Sequence, residues 1–313
     1  MRVAPVVMSA LSPTVVAAID DLELAARLVV EGLRAGGHRS PFHGYSEDFQ
    51  QYRPYRVGDD LKYFDWKMFA RSDRLYTRQF REATNVSVMI VLDSSASMAF
   101  PAKGVSKFRY ACILAAALAY LVSQQGNAVG LMTMTNDKFR FLPARGGRSH
   151  LRALIAEIDR LTTGGAWRPA RVISRAAELL QRRGVVVIVS DFYDDEEATQ
   201  RELRRVVQCG HDVAMLQMVS PDEITFPYTG NVEFEDLESG ARQLVDATAA
   251  EHGYRTTVAD FLERCRSQAQ RDNIDYARIA TNAPPARALR DYLVQRATKH
   301  RVVHTSTGVG TTA

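Results

Sequence analysis

The chain has 313 residues, of which 46% are hydrophobic and 24% charged, a composition typical of a soluble globular protein. The formal net charge of +4 results from 40 basic and 36 acidic residues, and the basic clusters are short and lack interleaved aromatic residues, which argues against a nucleic-acid-binding surface. The longest apolar run, residues 111–122, is too short to span a bilayer, and the 3 cysteines show no spacing typical of a disulfide framework or a zinc site. We therefore expect a cytoplasmic protein with no membrane span and no nucleic-acid partner.

The N-terminal part of the chain is predicted to contain one helix and an aromatic, turn-rich segment. Residues 13–35 carry an apolar stripe at helical spacing, which ends at Gly36-Gly37. In the segment that follows, residues 38–82, turn signals separate short pieces, and RLYTRQF alternates between polar and apolar residues as a strand does.

From residue 85 onward, apolar strands alternate with amphipathic helices. The predicted strands are VSVMIVL (86–92), a pair across residues 128–143 joined at Asn136-Asp137, VVVIVSDF (185–192) and HDVAMLQMV (211–219). The predicted helices cover residues 107–126, 148–161, 168–184 and 194–210. Strands that are apolar on both faces and alternate with helices indicate an α/β fold, a doubly wound and mostly parallel sheet. The pair at 128–143 is its expected antiparallel edge hairpin.

The C-terminal part is predicted to extend the same domain. It contains a strand pair (231–247), a helix around residues 258–265, a strand (274–281) and a helix that Pro284-Pro285 begins. The predicted organisation is an N-terminal helix with a docking segment (1–84), a core (85–222), a C-terminal strand–helix extension (223–304) and a disordered tail (305–313).

Two predicted strands end in an aspartate. The stretch VMIVLDSSASMAF turns from apolar to polar at Asp93, and VVVIVSDF ends its apolar run just before Asp191. In an open α/β sheet, ligands bind beyond the carboxyl ends of the strands, so both carboxylates are expected at one edge. Ser95 and Ser97 add hydroxyl groups to the loop after Asp93. These hard oxygen ligands favour Mg²⁺ or Mn²⁺ over zinc.

This constellation of D-x-S-x-S and a later strand-end aspartate resembles the metal-ion-dependent adhesion site (MIDAS) of von Willebrand factor A domains. Asp93, Ser95 and Ser97 match its first motif, and Asp191 matches its later aspartate. The resemblance implies a von Willebrand factor A-like, Rossmann-type fold. It also implies a metal ion with one open coordination position, which an acidic residue of a partner protein completes.

One ligand of that site is missing from the sequence. The family usually supplies a threonine in a G-G-T pattern, but the corresponding loop here, LTTGGAWRP, has Ala166 at that position. Thr163, on the other side of the two glycines, is a secondary candidate. The loss of the threonine is expected to weaken metal affinity rather than to disturb the fold.

A closer resemblance covers residues 37–296. The segment from residue 55 to residue 82, which runs into VMIVLDSSASM, looks like the hallmark of the bacterial domain-of-unknown-function family fifty-eight. The matching positions are Tyr55, Gly58-Asp59-Asp60, Asp65-Trp66, Ala70-Arg71 and Phe80. This resemblance implies a von Willebrand factor A-like domain and a MoxR-type AAA ATPase as a partner.

Plainer interpretations exist for both motifs. DSSAS is also typical of a turn or a helix cap, although the matching strand end at Asp191 favours a metal site. The stretch from Gly58 to Arg71 is either a second functional site or a turn followed by a docking segment, and we favour the second, with Trp66 and Phe69 packed on the sheet.

The sequence favours a binding module over an enzyme. It contains no G-x-S-x-G elbow and no Walker loop, and a D-x-D phosphatase motif would need an aspartate in place of Ser95. The leading hypothesis is a non-enzymatic module whose MIDAS-type site holds an acidic residue of a partner, acting with a MoxR-type ATPase and a client protein in a chaperone-like role. The alternatives are a metal-free scaffold with a degenerate site and a metal-dependent hydrolase.

Overall fold

The computed structural model describes residues 11–35, 49–54, 68–69, 71, 75–80, 86–101, 103–135, 138–164, 167–180, 182–193 and 196–306. The described residues form two compact units. The smaller unit contains an antiparallel pair, β1 (Phe49–Pro54) and β2 (Tyr76–Phe80). The larger contains residues 11–35 and residues 87–306. The predicted motifs Gly58-Asp59-Asp60 and Asp65-Trp66 lie outside the described residues.

The larger unit contains helices on either side of a central sheet. Its helices are α1 (Pro13–Ala17), α2 (Leu22–Ala35), α3 (Lys107–Gln124), α4 (Arg148–Asp159), α5 (Pro169–Glu178), α6 (Glu196–Gln208), α7 (Pro221–Thr225), α8 (Ala247–Arg271) and α9 (Pro285–Ser306), with a 3-10 helix at Ala96–Ala99. Its strands are β3 (Ser87–Leu92), β4 (Ala128–Thr135), β5 (Lys138–Arg145), β6 (Val185–Ser190), β7 (Asp212–Val219), β8 (Asn231–Glu235), β9 (Arg242–Asp246) and β10 (Asp275–Ala280). Helix α9 continues to Ser306, two residues into the segment predicted to be a tail.

The central sheet has six strands in the order β10-β7-β6-β3-β4-β5. All neighbouring pairs are parallel except β4 and β5, which form the antiparallel edge hairpin. The predicted fold, a doubly wound and mostly parallel α/β sheet with an antiparallel edge, is therefore confirmed. Among the described residues, no helix is both long and apolar enough to cross a membrane.

Both faces of the sheet are covered by helices. On one face, Met89 and Val91 pack with apolar residues of α5 and α6 in a single buried cluster. Their neighbours Val88, Ile90 and Leu92 are also fully buried, and they point to the opposite face because side chains alternate along a strand. Helix α3 is buried almost all round, which explains why its sequence lacks a polar face.

The N-terminal helix is interrupted, although a single helix was predicted for residues 13–35. The carboxylate of Asp21 accepts hydrogen bonds from the amides of Glu23 and Leu24, at 2.9 and 3.1 Å, and so caps the start of α2. The Arg290 side chain donates to the carbonyl oxygen of Gly32 at 3.0 Å, which ties α2 to α9. This packing is consistent with the grouping of residues 22–35 in the larger unit.

Ser106 caps the buried helix α3, and its replacement with alanine is expected to cost about 1 kcal/mol of unfolding free energy. The Ser106 hydroxyl oxygen accepts the amide of Arg109 at 3.1 Å, and alanine would leave that amide without its side-chain partner. Urea unfolding measures the loss. Ser123→Ala, in the last turn of the same helix, is the matched control and should change stability by less than about 0.5 kcal/mol; equal losses in the two variants would contradict the capping role.

Candidate functional site

The candidate site lies at the carboxyl ends of β3 and β6. Asp93 and Asp191 follow these two neighbouring parallel strands, and the Asp93 amide donates to the carbonyl oxygen of Val189 at 3.0 Å. From β3 the chain moves to β4 on one side, and it later returns to β6 on the other, so the two aspartates flank the point where the strand order reverses. Ligands of doubly wound sheets bind at such a switch point.

The loop after Asp93 brings the three predicted residues of the first motif together. Asp93 is buried, and its carboxylate accepts the amide of Ser95 at 2.7 Å and the hydroxyl of Ser190. The hydroxyl oxygens of Ser95 and Ser97 lie 3.0 Å apart. Ser94 points elsewhere, because its hydroxyl donates to the carbonyl oxygen of Met134 at 2.9 Å. We call residues 93–97 the Asp93 turn.

The loop after α4 lies beside the Asp93 turn. The amide of Gly164 donates to the carbonyl oxygen of Ser94 at 2.9 Å. Thr163, which directly precedes Gly164, is half-buried. Ala166, at the expected threonine position, lies outside the described residues.

The structure places a buried lysine against Asp191, a contact that the sequence pattern did not predict. The Lys107 ammonium is 2.7 Å from Asp191 Oδ2 and 2.6 Å from Glu223 Oε1, and it is almost inaccessible to solvent. Glu223 in turn accepts the amide of Ser220 at 2.7 Å in a capping box at the start of α7. The one signal in the sequence was a lysine at the start of a helix that is otherwise mostly apolar.

The electrostatics of the site leave excess negative charge buried. Burial, followed by the nearby Asp191 carboxylate, raises the pKa of Asp93 to about 7. Burial also raises the pKa of Glu223, against the opposing effect of Lys107. For Lys107, burial lowers the pKa, but Asp191 and Glu223 outweigh it, so its pKa stays above the ordinary value and the ammonium remains charged. One ammonium therefore pairs with two buried carboxyl groups, and a third buried carboxyl group, that of Asp93, interacts with Asp191.

The backbone directly after Asp191 is strained. Phe192 has a φ of +61°, in the left-handed region that costs a bulky residue about 1–3 kcal/mol. The Phe192 amide donates to Ser190 Oγ at 2.9 Å, and the Tyr193 amide donates to Asp191 Oδ1 at 3.2 Å. The Tyr193 ring then lies 4.8 Å from the Lys107 ammonium. The turn thus holds Asp191 in place with both its carboxylate oxygens occupied.

A second carboxylate reaches the Asp93 turn from the hairpin of β8 and β9. The amide of Ser97 donates to Glu238 Oε1 at 3.0 Å, across 141 positions of sequence. Nothing in the local pattern around Glu238 indicated this contact.

The residues of the Asp93 turn fit a divalent cation bound by hard oxygens. The described residues contain no group of three or more His, Cys, Asp or Glu side chains placed to hold a metal, so the donors would be Asp93 and the hydroxyls of Ser95 and Ser97. Burial and the nearby Asp191 carboxylate raise the pKa of Asp93, and a divalent ion bound beside it would favour the ionised carboxylate. Asp191, by contrast, is already paired with Lys107.

Comparison with known proteins identifies relatives of the chain. Residues 51–267 match the family model described as "Protein of unknown function DUF58". Uncharacterized proteins of Mycobacterium bovis and Mycobacterium tuberculosis are each 30% identical over 231 residues, which cover 73% of this chain and 72% of theirs. A shorter uncharacterized protein of Mycobacterium avium is 29% identical over 135 residues, or 40% of this chain and 79% of its own.

Several solved structures are similar to the larger part of the chain. An aerotolerance-related membrane protein from Bacteroides fragilis is 20% identical with a TM-score of 0.47, and covers 68% of this chain and 99% of its own. BatB from Bacteroides thetaiotaomicron is 18% identical with a TM-score of 0.45 and covers 68% and 99%. The Rpn10 VWA domain is 14% identical with a TM-score of 0.38 and covers 74% and 100%. All three scores are below 0.5, so the fold assignment depends on the strand order given above.

Proposed function

The chain belongs to the DUF58 family, and from that premise we propose that it is a non-enzymatic protein-binding module whose Asp93 turn holds an acidic side chain of a partner through Mg²⁺ or Mn²⁺. The observation that carries the proposal is the convergence of the Ser95 and Ser97 hydroxyls, 3.0 Å apart, beside a buried carboxylate at the switch point of the sheet. Asp93 would hold the cation and the two serines would complete its protein ligands. The cation would supply an open position for a carboxylate oxygen.

The proposed partners are a MoxR-type AAA ATPase and a client protein. The resemblance of residues 55–82 to the family hallmark supports this part of the proposal. In that arrangement the ATPase supplies force, and this protein selects or presents the client during maturation or complex assembly. The cytoplasmic location expected from the sequence is part of the same proposal.

A metal-free scaffold is the second candidate, and the Lys107 ion pair favours it. The Lys107 ammonium lies 2.7 Å from Asp191 and already balances its charge. In a metal site, that carboxylate would instead be available to the metal ion. In this case the module would bind its partner through its surface and not through an ion. A metal-dependent hydrolase is the third candidate, and turnover of phosphoesters or esters with Mg²⁺ or Mn²⁺ would establish it.

Thermal unfolding with metal or EDTA separates the first two candidates. A ligand that binds only the native state stabilises it. The unfolding free energy of wild type should therefore increase by about 2.7 kcal/mol at a metal concentration a hundred times Kd. Asp93→Ala should gain nothing, since it lacks the central ligand. Asp260→Ala, at an exposed acid on α8, is the control and should respond as wild type does. If wild type unfolds identically in Mg²⁺, Mn²⁺ and EDTA, the metal-free scaffold replaces the leading proposal.

A further inference from the structure

The turn that carries Glu238 is internally ordered. Asp236 Oδ1 accepts the amide of Glu238 at 3.0 Å, and the carbonyl oxygen of Asp236 accepts the amide of Gly240 at 2.7 Å. The amide of Asp236 donates to the carbonyl oxygen of Ala241 at 2.8 Å, and the Ser239 hydroxyl bonds to the Asp236 carboxylate. These bonds fix the backbone of the turn, so the Glu238 side chain leaves it in a defined direction.

An aromatic side chain of β8 packs the hairpin of β8 and β9 against the body of the unit. Phe234 of β8 lies 5.8 Å from the ring of Phe226 and 5.3 Å from that of Tyr228, in a cluster that also includes Tyr254 of α8. Most of the remaining hairpin is exposed, and Leu244 is 70% accessible. The hydrogen bond between Glu238 and Ser97 therefore connects the tip of a largely exposed hairpin to the Asp93 turn.

We propose that Glu238 occupies the position that the partner's carboxylate takes, so that the hairpin of β8 and β9 is a resident competitor for the acid-binding site. This inference depends on the proposed function, because it assigns a regulator to the same site. Glu238 presents the functional group expected of the partner, and its carboxylate already accepts a backbone amide of the turn that carries the candidate metal ligands.

The contact is suited to exchange. Glu238 is exposed and its carboxylate contributes one hydrogen bond to the Asp93 turn, so a second carboxylate can take its place without exposing any core residue. Because Glu238 is part of the same chain, it competes for the site at a high effective concentration. A partner must therefore bind with enough affinity to displace it. Leu237 precedes Glu238 and is 44% exposed. The partner that fits this position presents an acidic residue from a turn, next to an apolar side chain.

The test uses a peptide with the sequence of residues 237–240, at the tip of the hairpin, as the probe. The peptide acetyl-Leu-Glu-Ser-Gly-amide is titrated, with Mg²⁺ present, into wild type, Glu238→Ala and the control Glu233→Ala, and the Ser97 amide signal is followed by NMR. The half-saturating peptide concentration should be at least about tenfold lower for Glu238→Ala than for the other two proteins. The Ser97 amide should also exchange its hydrogen faster in Glu238→Ala alone. The peptide with Gln in place of Glu is the ligand control and should not shift the signal.

The outcomes separate this inference from the proposed function. Equal titration of wild type and Glu238→Ala, or unchanged exchange at Ser97, would overturn the role of Glu238 and leave acid binding at the site intact. Absence of any response in Glu238→Ala, although the protein is folded by its NMR spectrum, would overturn both, because the site then binds no carboxylate. A response to the Gln peptide equal to that of the Glu peptide would likewise show that the recognition is not of an acid.

Discussion

Replacing Lys107 with methionine is expected to destabilise the protein by about 3–5 kcal/mol, because it would leave two buried carboxylates without their cation. The ammonium is 2.7 Å from Asp191 and 2.6 Å from Glu223, and methionine fills a similar volume without the charge. Urea unfolding in EDTA measures the loss. Lys103→Met, at an exposed lysine just before the helix, is the matched control and should be nearly neutral.

Two further measurements assign the cause of this loss. Adding Glu223→Gln to the Lys107 variant should recover part of the stability, because it removes one of the two unpaired charges. Mg²⁺ should then stabilise the Lys107 variant more than it stabilises wild type, since Asp191 is released to support the cation. If Lys107→Met costs less than about 1 kcal/mol, the ammonium does not balance the two acids, and the support it gives to a metal-free scaffold disappears.

Part of the geometry of the candidate site follows from the strand pattern of the sequence. The strand ends at Asp93 and Asp191 could be located because apolar runs identify central strands, and the carboxyl ends of parallel strands share an edge. The spacing of Ser95 and Ser97 was informative for a similar reason, because a short turn after a strand keeps its residues together. The structure brings these two hydroxyls to within 3.0 Å of each other.

The contacts that Lys107, Glu223 and Glu238 make at the site could not be predicted. Lys107 reaches Asp191 and Glu223 across 84 and 116 positions of sequence. Glu238 reaches Ser97 from a hairpin whose local pattern specifies only its own pairing. Such contacts depend on how helices and hairpins pack on the sheet, which periodicity does not encode. The break between α1 and α2 was missed for a different reason, because a polar side chain, Asp21, caps a new helix inside a stretch that kept its apolar stripe.

The contacts around Asp191 change what the D-x-S-x-S pattern implies. The resemblance to an adhesion site implies that both aspartates help to bind the metal. Here, a lysine pairs with Asp191, and the strained backbone at Phe192 follows that residue directly. Asp93, by contrast, accepts hydrogen bonds from the Ser95 amide and the Ser190 hydroxyl, and neither of these groups carries a charge. Any cation that this site binds should therefore act mainly on Asp93, and the pH dependence of stability can detect its ionisation.

Asp93→Asn is expected to stabilise the metal-free protein by about 2–4 kcal/mol at pH 8 and to have little effect at pH 4. The pKa of Asp93 rises from 3.8 to about 7 on folding, so the native state disfavours the ionised carboxylate. The unfolded chain ionises first as the pH increases, and wild type loses stability between about pH 4 and pH 7, after which the loss levels off. Asparagine has no charge to bury and keeps an oxygen that can accept the Ser95 amide, so the variant avoids this loss.

The measurement is urea unfolding of wild type and Asp93→Asn in EDTA at pH 4, 6 and 8, with Asp260→Asn as the exposed control that should follow wild type at every pH. Other titrating groups, including Glu223, contribute to both proteins and cancel in the difference to first order. Saturating Mg²⁺ at pH 8 should close the gap, because the cation stabilises wild type and not the variant. A stability difference that is the same at pH 4 and pH 8 would mean that Asp93 is ionised across the range, held by a positive charge already present in the fold. In that case the metal-free scaffold would account for the site without any ion.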